Sequence, residues 1–151
     1  MRFLIQVVKE ASVEIEGKVY SSIGPGYLVL IGVGQEDTPA IADRMVKKLL
    51  GLRINKDENG KTNKNLESVQ GELLLVSQFT LYADTRYGNR PGFTDGASPE
   101  LASKLYEYVI EKCRESVPKV ETGIFGAEIA VGLVNDGPFT ILLDSKELGV
   151  S

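Results

Sequence analysis

The sequence predicts a mixed α+β fold, made mostly of strands together with two long helices. Short apolar runs are bounded by Gly- and Pro-rich segments, as is typical of strands and turns. Two longer segments, 39–51 and 99–113, repeat apolar residues every three or four positions, which is the spacing of an amphipathic helix. No repeat, linker or low-complexity segment interrupts this order, so we expect a single domain over residues 1–151.

The first part of the chain predicts several strands. Segments 3–8 and 12–16 fit strands, and Glu16-Gly17-Lys18 fits a tight turn that returns the chain through 19–23. After a Gly-Pro-Gly break, the continuous apolar run 27–33 indicates a central strand.

The segment after this strand has the signals of a helix start. Gly32-Val33-Gly34 invites a phosphate-loop interpretation, which we reject because Glu36 and Asp37 would repel a phosphate there. Thr38 is a good N-cap and Pro39 a good first helical residue. Beyond this helix the sequence predicts a short strand at 53–54, a turn at 57–61 and irregular chain at 63–69.

The stretch 72–84 is the most informative part of the sequence. Its apolar run 73–76 is too short for most helices and fits a strand buried on both faces. Polar Ser77, Gln78 and Thr80 follow, and such side chains need partners in a dry interior. The residues alone leave two interpretations open. The strand either leaves the core here, or continues as a rigid polar floor that holds a substrate.

The remainder predicts a loop, the second helix and the final strands. Loop 85–96 carries two arginines and two aromatic residues, which suits RNA contact or a mobile surface loop equally. Ser98 is the expected cap of the second helix, and Cys113 falls on its buried face. Strands are expected at 119–122, 127–134 and 141–143, separated by turns.

The absence of histidine from the sequence restricts the possible chemistry. It removes the Ser–His and Cys–His nucleophile pairs and the histidine metal ligands. Cys113 is the only cysteine, so the chain has no intrachain disulfide, and we expect neither a metal nor a cofactor. No apolar run approaches the ~20 residues that span a membrane, and we expect a cytoplasmic protein.

Charge is unevenly distributed along the chain. The net charge is −4, yet residues 43–64 carry seven basic and three acidic residues, while residues 65–151 carry seven basic and thirteen acidic residues. The basic segment is compatible with a solvated face. It also suits a phosphate-bearing partner that binds at one place.

Four segments together resemble the D-aminoacyl-tRNA deacylase family. They are S-Q-F-T-L-Y-A-D at 77–84, R-Y-G-N-R-P-G-F at 86–93, V-E-T-G-I-F-G-A at 120–127 and N-D-G-P-F-T at 135–140. The resemblance extends over residues 2–144. It implies a three-layer α/β/β arrangement of two packed sheets and two long helices. It also implies a cytoplasmic homodimer that hydrolyses the ester joining a D-amino acid, or glycine, to the 3′ end of tRNA.

The same resemblance implies the site. Catalytic residues are expected on the first motif, namely Ser77, Gln78, Phe79 and Thr80. A Gly-cis-Pro pair, here Gly137-Pro138, reaches in from the other subunit and rejects L-amino acids. We also assign substrate binding to Phe125 and Ala102. The residues assigned to tRNA contact are Lys47, Lys48, Arg86 and Arg90.

Three positions depart from the family pattern. Val7 stands where the family usually has Arg, Phe139 where it has Val, and Gly92 where it has Ser. Val7 matters most, because the arginine would lie near the Gly-Pro turn and affect how that turn is held.

Three mechanisms remain open from the sequence. Backbone N–H groups near 77–80 can stabilise an oxyanion while the ribose 2′-OH of the tRNA orients water, a route that the resemblance and the missing base both favour. Thr80 is an alternative nucleophile, but its motif offers no base to activate it. A metal hydrolase using Asp84, Asp95 and Asp136 is the third route, and a non-enzymatic RNA-binding module is the alternative outside enzymes.

Overall fold

The computed structural model describes residues 1–149. These residues form two α-helices, eight strands and two short 3₁₀ turns. The strands are β1 Arg2–Ile15, β2 Lys18–Ile23, β3 Gly26–Gly32, β4 Asn55–Lys56, β5 Thr62–Lys64, β6 Glu72–Ser77, β7 Val120–Thr122 and β8 Ala130–Asp144. The helices are α1 Pro39–Gly51 and α2 Pro99–Arg114, and the 3₁₀ turns are Glu67–Val69 and Phe79–Tyr82.

Strand β1 organises the main sheet. Its first half pairs with β3 and its second half with β2, while its other edge pairs with β8 from Arg2 to Glu14. The order β2-β1-β3-β6-β7 continues through two parallel pairs, β3 with β6 and β6 with β7. Strands β4 and β5 form a separate two-stranded sheet.

Two apolar cores divide the molecule into three layers. One core joins both helices to alternate residues of the central strands, such as Tyr27, Val29 and Leu75. The intervening residues, such as Leu28 and Leu74, face the opposite way and pack against the second half of β1 and against β2. Strands β3 and β6 are therefore buried on both faces, and the expected α/β/β layering is confirmed.

Both helices begin where the sequence predicts. Thr38 Oγ1 accepts the Ile41 N–H at 3.3 Å, and Ser98 Oγ accepts the Leu101 N–H at 3.3 Å. Cys113 is fully buried on the core face of α2, as expected, and its pKa is raised to about 12 by burial. Neither helix in residues 1–149 is long and apolar enough to cross a membrane.

Several predicted strand boundaries were wrong. Segments 3–8 and 12–16 are one strand, β1, because β8 pairs with it on both sides of residue 9. Segments 127–134 and 141–143 likewise belong to one strand, β8. The strand expected at 53–54 lies at 55–56, and the irregular segment 63–69 contains part of its partner β5 and a 3₁₀ turn.

Candidate active site

A cavity of about 680 Å³ opens at the carboxyl ends of the parallel strands β3 and β6. Open α/β sheets commonly bind ligands at this end of their strands. The start of α2 forms one wall and the segment 123–129 forms the other. Five of the predicted site residues line this one cavity, namely Ser77, Gln78, Phe79, Ala102 and Phe125. Thr80 lies just outside the lining.

The first motif is not the continuous strand that one interpretation of the sequence required. Strand β6 ends at Ser77, and the chain turns into the 3₁₀ turn Phe79–Tyr82. The Gln78 N–H still donates to Ile31 O at 2.8 Å, so the sheet extends one residue further before the chain departs. The polar residues therefore lie at the end of a buried strand, at the mouth of the cavity.

This 3₁₀ turn leaves backbone donors at its start. The first hydrogen bond within it runs from the Leu81 N–H to Gln78 O at 3.3 Å, so the N–H groups of Phe79 and Thr80 precede the bonded part. The Thr80 Oγ1 accepts a hydrogen bond from Gln78 Nε2 at 2.5 Å, and the Thr80 side chain is exposed. The threonine hydroxyl is thus engaged within the motif, while backbone donors remain at the cavity edge.

Distant residues hold this turn in place. Arg2 donates from Nη1 to Leu81 O at 2.7 Å, and its guanidinium lies 4.5 Å from the centre of the Tyr82 ring. The Tyr82 ring packs against Gly32 and Gly34, where an added Cβ would lie within 3.2 Å of the ring at the first position and 3.0 Å of the hydroxyl at the second. The two glycines that resemble a phosphate loop therefore make room for a tyrosine.

A buried tyrosine forms the back of the cavity. The Tyr106 hydroxyl donates to Leu75 O at 2.7 Å, and its ring lies 6.2 Å from that of Phe125. Burial raises the pKa of Tyr106 to about 12, so the hydroxyl stays protonated and keeps donating at neutral pH. Tyr106 thus ties α2 to the central strand and supports Phe125 from behind.

The Gly-Pro turn lies at a different place. The Gly137-Pro138 bond is cis, as expected, and both residues are exposed. Gly137 lines a separate cavity of about 250 Å³ together with Val7 and Phe139. Within one chain, the turn and the 680 Å³ cavity are therefore not brought together.

The two arginines of loop 85–96 differ in their surroundings. Arg86 makes a bidentate contact with Asp84 at 2.9 Å to each oxygen, and this hydrogen bonding lowers the pKa of Asp84 to about 2. Arg90 is exposed. Exposed Phe79 meets Phe93 of the same loop edge-to-face, with ring centres 5.0 Å apart. The loop is thus closed against the first motif by aromatic contact.

The basic segment forms a surface groove. Lys47 and Lys48 are exposed on α1, and they line a groove with Arg44 and Arg53.

The three aspartates considered as metal ligands in the sequence do not come together in the structure. In the part of the chain described here, no three Asp, Glu or Cys side chains are close enough to hold a metal ion, so Asp84, Asp95 and Asp136 form no ligand cluster.

Three residues that shape the site were not predicted. Arg2 and Tyr106 act on partners 79 and 31 positions away, so no local pattern reveals them. Asn135 bonds the backbone around the Gly-Pro turn, and the only available signal was its place in the N-D-G-P-F-T motif.

Comparison with curated proteins gives full-length relatives. The family model described as D-Tyr-tRNA(Tyr) deacylase matches residues 4–144. A D-aminoacyl-tRNA deacylase from Thermosipho melanesiensis is 52% identical over 149 residues, which covers 98% of this chain and 99% of that protein. Another of the same name from Clostridium novyi is 48% identical over 147 residues, covering 97% and 99% respectively.

Two solved structures share the fold. One, named c-Myc DNA Unwinding Element Binding Protein, matches with a TM-score of 0.91 and 39% identity, covering 95% of this chain and 98% of that one. The other, a probable eukaryotic D-amino acid tRNA deacylase, matches with a TM-score of 0.82 and covers 94% of this chain and 97% of that one. At 18% identity, this likeness supports the fold alone. Because the family model and the curated relatives cover nearly the whole chain, this protein belongs to the D-Tyr-tRNA(Tyr) deacylase family.

Proposed function

We propose that this chain, a hydrolase by its family, cleaves the ester that joins a D-amino acid or glycine to the 3′ end of tRNA. The observation that carries the proposal is the cavity at the ends of β3 and β6, where the first motif meets Ala102 and Phe125. Its volume of about 680 Å³ is in the usual range of small-molecule pockets. The products are free tRNA and a D-amino acid or glycine, and removal of a wrongly attached amino acid from tRNA is an editing step.

Backbone donors supply the stabilisation that this reaction needs. An aminoacyl ester is already activated, so positioning and oxyanion stabilisation suffice to accelerate its hydrolysis. The N–H groups of Phe79 and Thr80, at the start of the 3₁₀ turn, are the donors available to the developing negative charge. Each such donor contributes on the order of 3 kcal/mol to lowering the barrier.

The ribose 2′-OH of the terminal nucleotide orients the attacking water. Two features support this route over attack by Thr80. The chain contains no histidine to act as a base, and the Thr80 hydroxyl is engaged by Gln78. The protein then acts as a scaffold that holds ester, water and ribose together.

A second copy of the chain completes the site. The Gly137-Pro138 turn is exposed and lies away from its own chain's 680 Å³ cavity. Among residues 1–149, the same strand, β8, pairs with β1 alone, and it exposes Leu133, Val134 and Leu142. Apolar exposure on the strand that carries the turn supports a homodimer in which each turn enters the partner's cavity.

In this arrangement, the backbone of the Gly137-Pro138 turn accounts for selectivity for the D-enantiomer. Once the ammonium and ester are fixed, D- and L-amino acids differ in where Cβ lies. A wall of backbone rejects the L-form more firmly than a side chain, because it has no rotamer to change. Glycine has no Cβ, so the same wall admits glycyl esters.

The direct test is parallel incubation with D-tyrosyl-tRNA and L-tyrosyl-tRNA. We expect hydrolysis of the D-ester about 100-fold faster or more, because a clash at Cβ that costs roughly 3 kcal/mol, the upper end of the usual overpacking range, corresponds to about that factor. Release of labelled tyrosine under single-turnover conditions measures both rates. Equal rates, or no cleavage of either ester beyond the uncatalysed rate, would contradict the proposal.

Thr80→Ala is expected to retain most of the deacylase activity, within about tenfold of wild type, because the hydroxyl is not the nucleophile. D-tyrosyl-tRNA ending in 2′-deoxyadenosine, in contrast, should react on the order of 100-fold more slowly with the wild-type protein. Single-turnover rates with saturating protein separate chemistry from binding. If Thr80→Ala abolishes cleavage while tRNA binding persists, Thr80 is the nucleophile after all.

Replacing Lys47 and Lys48 with Ala is expected to weaken tRNA affinity about three- to tenfold, without changing the single-turnover rate. Each lost phosphate contact should also reduce the slope of log affinity against log salt by roughly 0.7–0.9. Lys104 and Lys146, which are exposed outside the basic segment, provide a control pair with the same change in net charge. An unaltered salt slope in the Lys47 and Lys48 variant would assign this groove to solvated surface.

A non-enzymatic nucleic-acid-binding module is the second candidate. The solved structure named for binding a DNA unwinding element, at 39% identity, is the observation that favours it. This candidate requires salt-sensitive binding to nucleic acid without ester cleavage. The D-tyrosyl-tRNA assay therefore separates the two functions directly.

A further inference from the structure

Strand β8 leaves its pairing with β1 at the Gly-Pro turn. Gln6 faces Thr140 and Val8 faces Asn135, so residues 136–139 have no partner in β1. These four residues of β8 oppose the single residue Val7, and they bulge out as a loop within the strand. The departure removes the backbone donor that the Val7 carbonyl would otherwise meet on this side of the sheet.

The side chain of Asn135 replaces the missing backbone partners. Its Nδ2 donates to Val7 O at 2.9 Å and to Phe139 O at 3.0 Å. Its Oδ1 accepts the Phe139 N–H at 3.2 Å. One half-buried amide therefore ties both backbone groups of Phe139 to residue 135, and ties the loop to β1.

Packing anchors the same end of the loop. The Phe139 and Val7 side chains are partly buried against the core beneath the helices, and both line the 250 Å³ cavity. Asp136, Gly137 and Pro138 are exposed. The base of the loop is thus fixed while its tip projects from the surface. Val7 and Phe139, two of the three positions that depart from the family pattern, both lie at this base.

We propose that Asn135 is the positioning residue of the chiral wall, since its amide holds the Gly137-Pro138 turn in the projecting arrangement that enters the partner's cavity. This inference rests on the proposed function. In the proposed site Asn135 does not contact the substrate, and it acts only by holding the turn. Its loss is therefore expected to change which enantiomer is rejected more than it changes the rate for the accepted one.

The test compares Asn135→Ala and Asn135→Asp with wild type on D- and L-tyrosyl-tRNA. We expect the ratio of D to L single-turnover rates to fall on the order of tenfold or more, mainly because L-tyrosyl-tRNA is cleaved faster. Asn65→Ala is the matched control, since Asn65 is also half-buried and accepts from the Ser68 N–H at 2.9 Å. It should lower thermal stability without changing the ratio.

The aspartate variant adds a readout that a general loss of stability would not change. Its carboxylate keeps an acceptor for the Phe139 N–H but turns an oxygen towards two carbonyls. The missing donor raises the pKa of this carboxyl, and the protonated form donates its single O–H to one of the two carbonyls again. The D to L ratio of Asn135→Asp should therefore recover in part as the pH is lowered from about 8 to 5, while the wild-type ratio stays constant.

The possible outcomes separate the inference from the function on which it rests. If wild type shows no preference for the D-ester, the proposed function fails. If wild type discriminates and both Asn135 variants keep its ratio at every pH, this inference is overturned and the function stands. Should Asn135→Ala be unfolded, Asn135→Asp measured at low and high pH decides the question alone.

Discussion

Replacing Ala102 with Leu is expected to slow the hydrolysis of D-tyrosyl-tRNA about 100-fold while leaving the fold intact. Ala102 is half-buried in the first turn of α2 and lines the cavity with Phe125. Leu is a good helix former, so α2 tolerates the change. Its larger side chain, however, occupies space in which we propose that the D-amino acid side chain lies. A displacement of the ester by about 1 Å suffices for a loss of this size.

Comparison of two esters makes this result specific. Glycyl-tRNA has no side chain, so Ala102→Leu should slow its hydrolysis by less than about tenfold. Ala40→Leu is the matched control, because Ala40 is exposed in the first turn of α1. Single-turnover rates for both esters test the idea. Equal losses for glycyl and D-tyrosyl esters would show that the cavity does not hold the amino-acid side chain.

Gly26→Ala is expected to have the largest effect on stability. Gly26 begins β3 and pairs with Glu72 of β6, and a Cβ at residue 26 would lie 1.9 Å from the Glu72 carbonyl oxygen. Backbone in a parallel ladder cannot move aside without breaking that ladder. We expect a loss of about 3 kcal/mol or more in the free energy of unfolding. That is a large part of the roughly 5–15 kcal/mol available to a domain.

The control for this prediction is Gly51→Ala. Gly51 ends α1, and an added Cβ there would meet no atom within 4 Å. Because Ala is the better helix former, this variant should be as stable as wild type or gain up to about 1 kcal/mol. Urea denaturation followed by circular dichroism measures both variants. A Gly26→Ala midpoint equal to that of wild type would show that the β3–β6 pairing adjusts at little cost.

The helices were predictable because their ends are fixed by adjacent residues. Thr38 and Ser98 each accept an N–H from three positions later, and Pro39 and Pro99 follow them directly. These signals act within one turn of chain, so they can be read without knowledge of the rest of the fold. The burial of the run 73–76 on both faces was predictable for a similar reason, since a short unbroken apolar run marks such strands.

The conformation of the first motif and the length of strand β8 depended on distant residues. The polar residues after residue 76 indicate that the chain leaves the core. They do not predict the 3₁₀ turn, in which the Leu81 carbonyl accepts a hydrogen bond from distant Arg2. From the local sequence alone, Asn135 to Pro138 resembles the end of a strand. Because β8 pairs with β1 both before and after this segment, the segment is instead a break within one long strand. Such contacts have no local signature in a single sequence.

The pairing of β1 with β8 also governs the order in which the fold can be completed. Arg2 faces Asp144, 142 positions later, so one edge of β1 stays open while the ribosome makes the intervening chain. Closing so long a separation makes folding slow, and an open strand edge invites pairing with other chains. We therefore expect the nascent chain to be prone to aggregation until β8 is available to cover that edge.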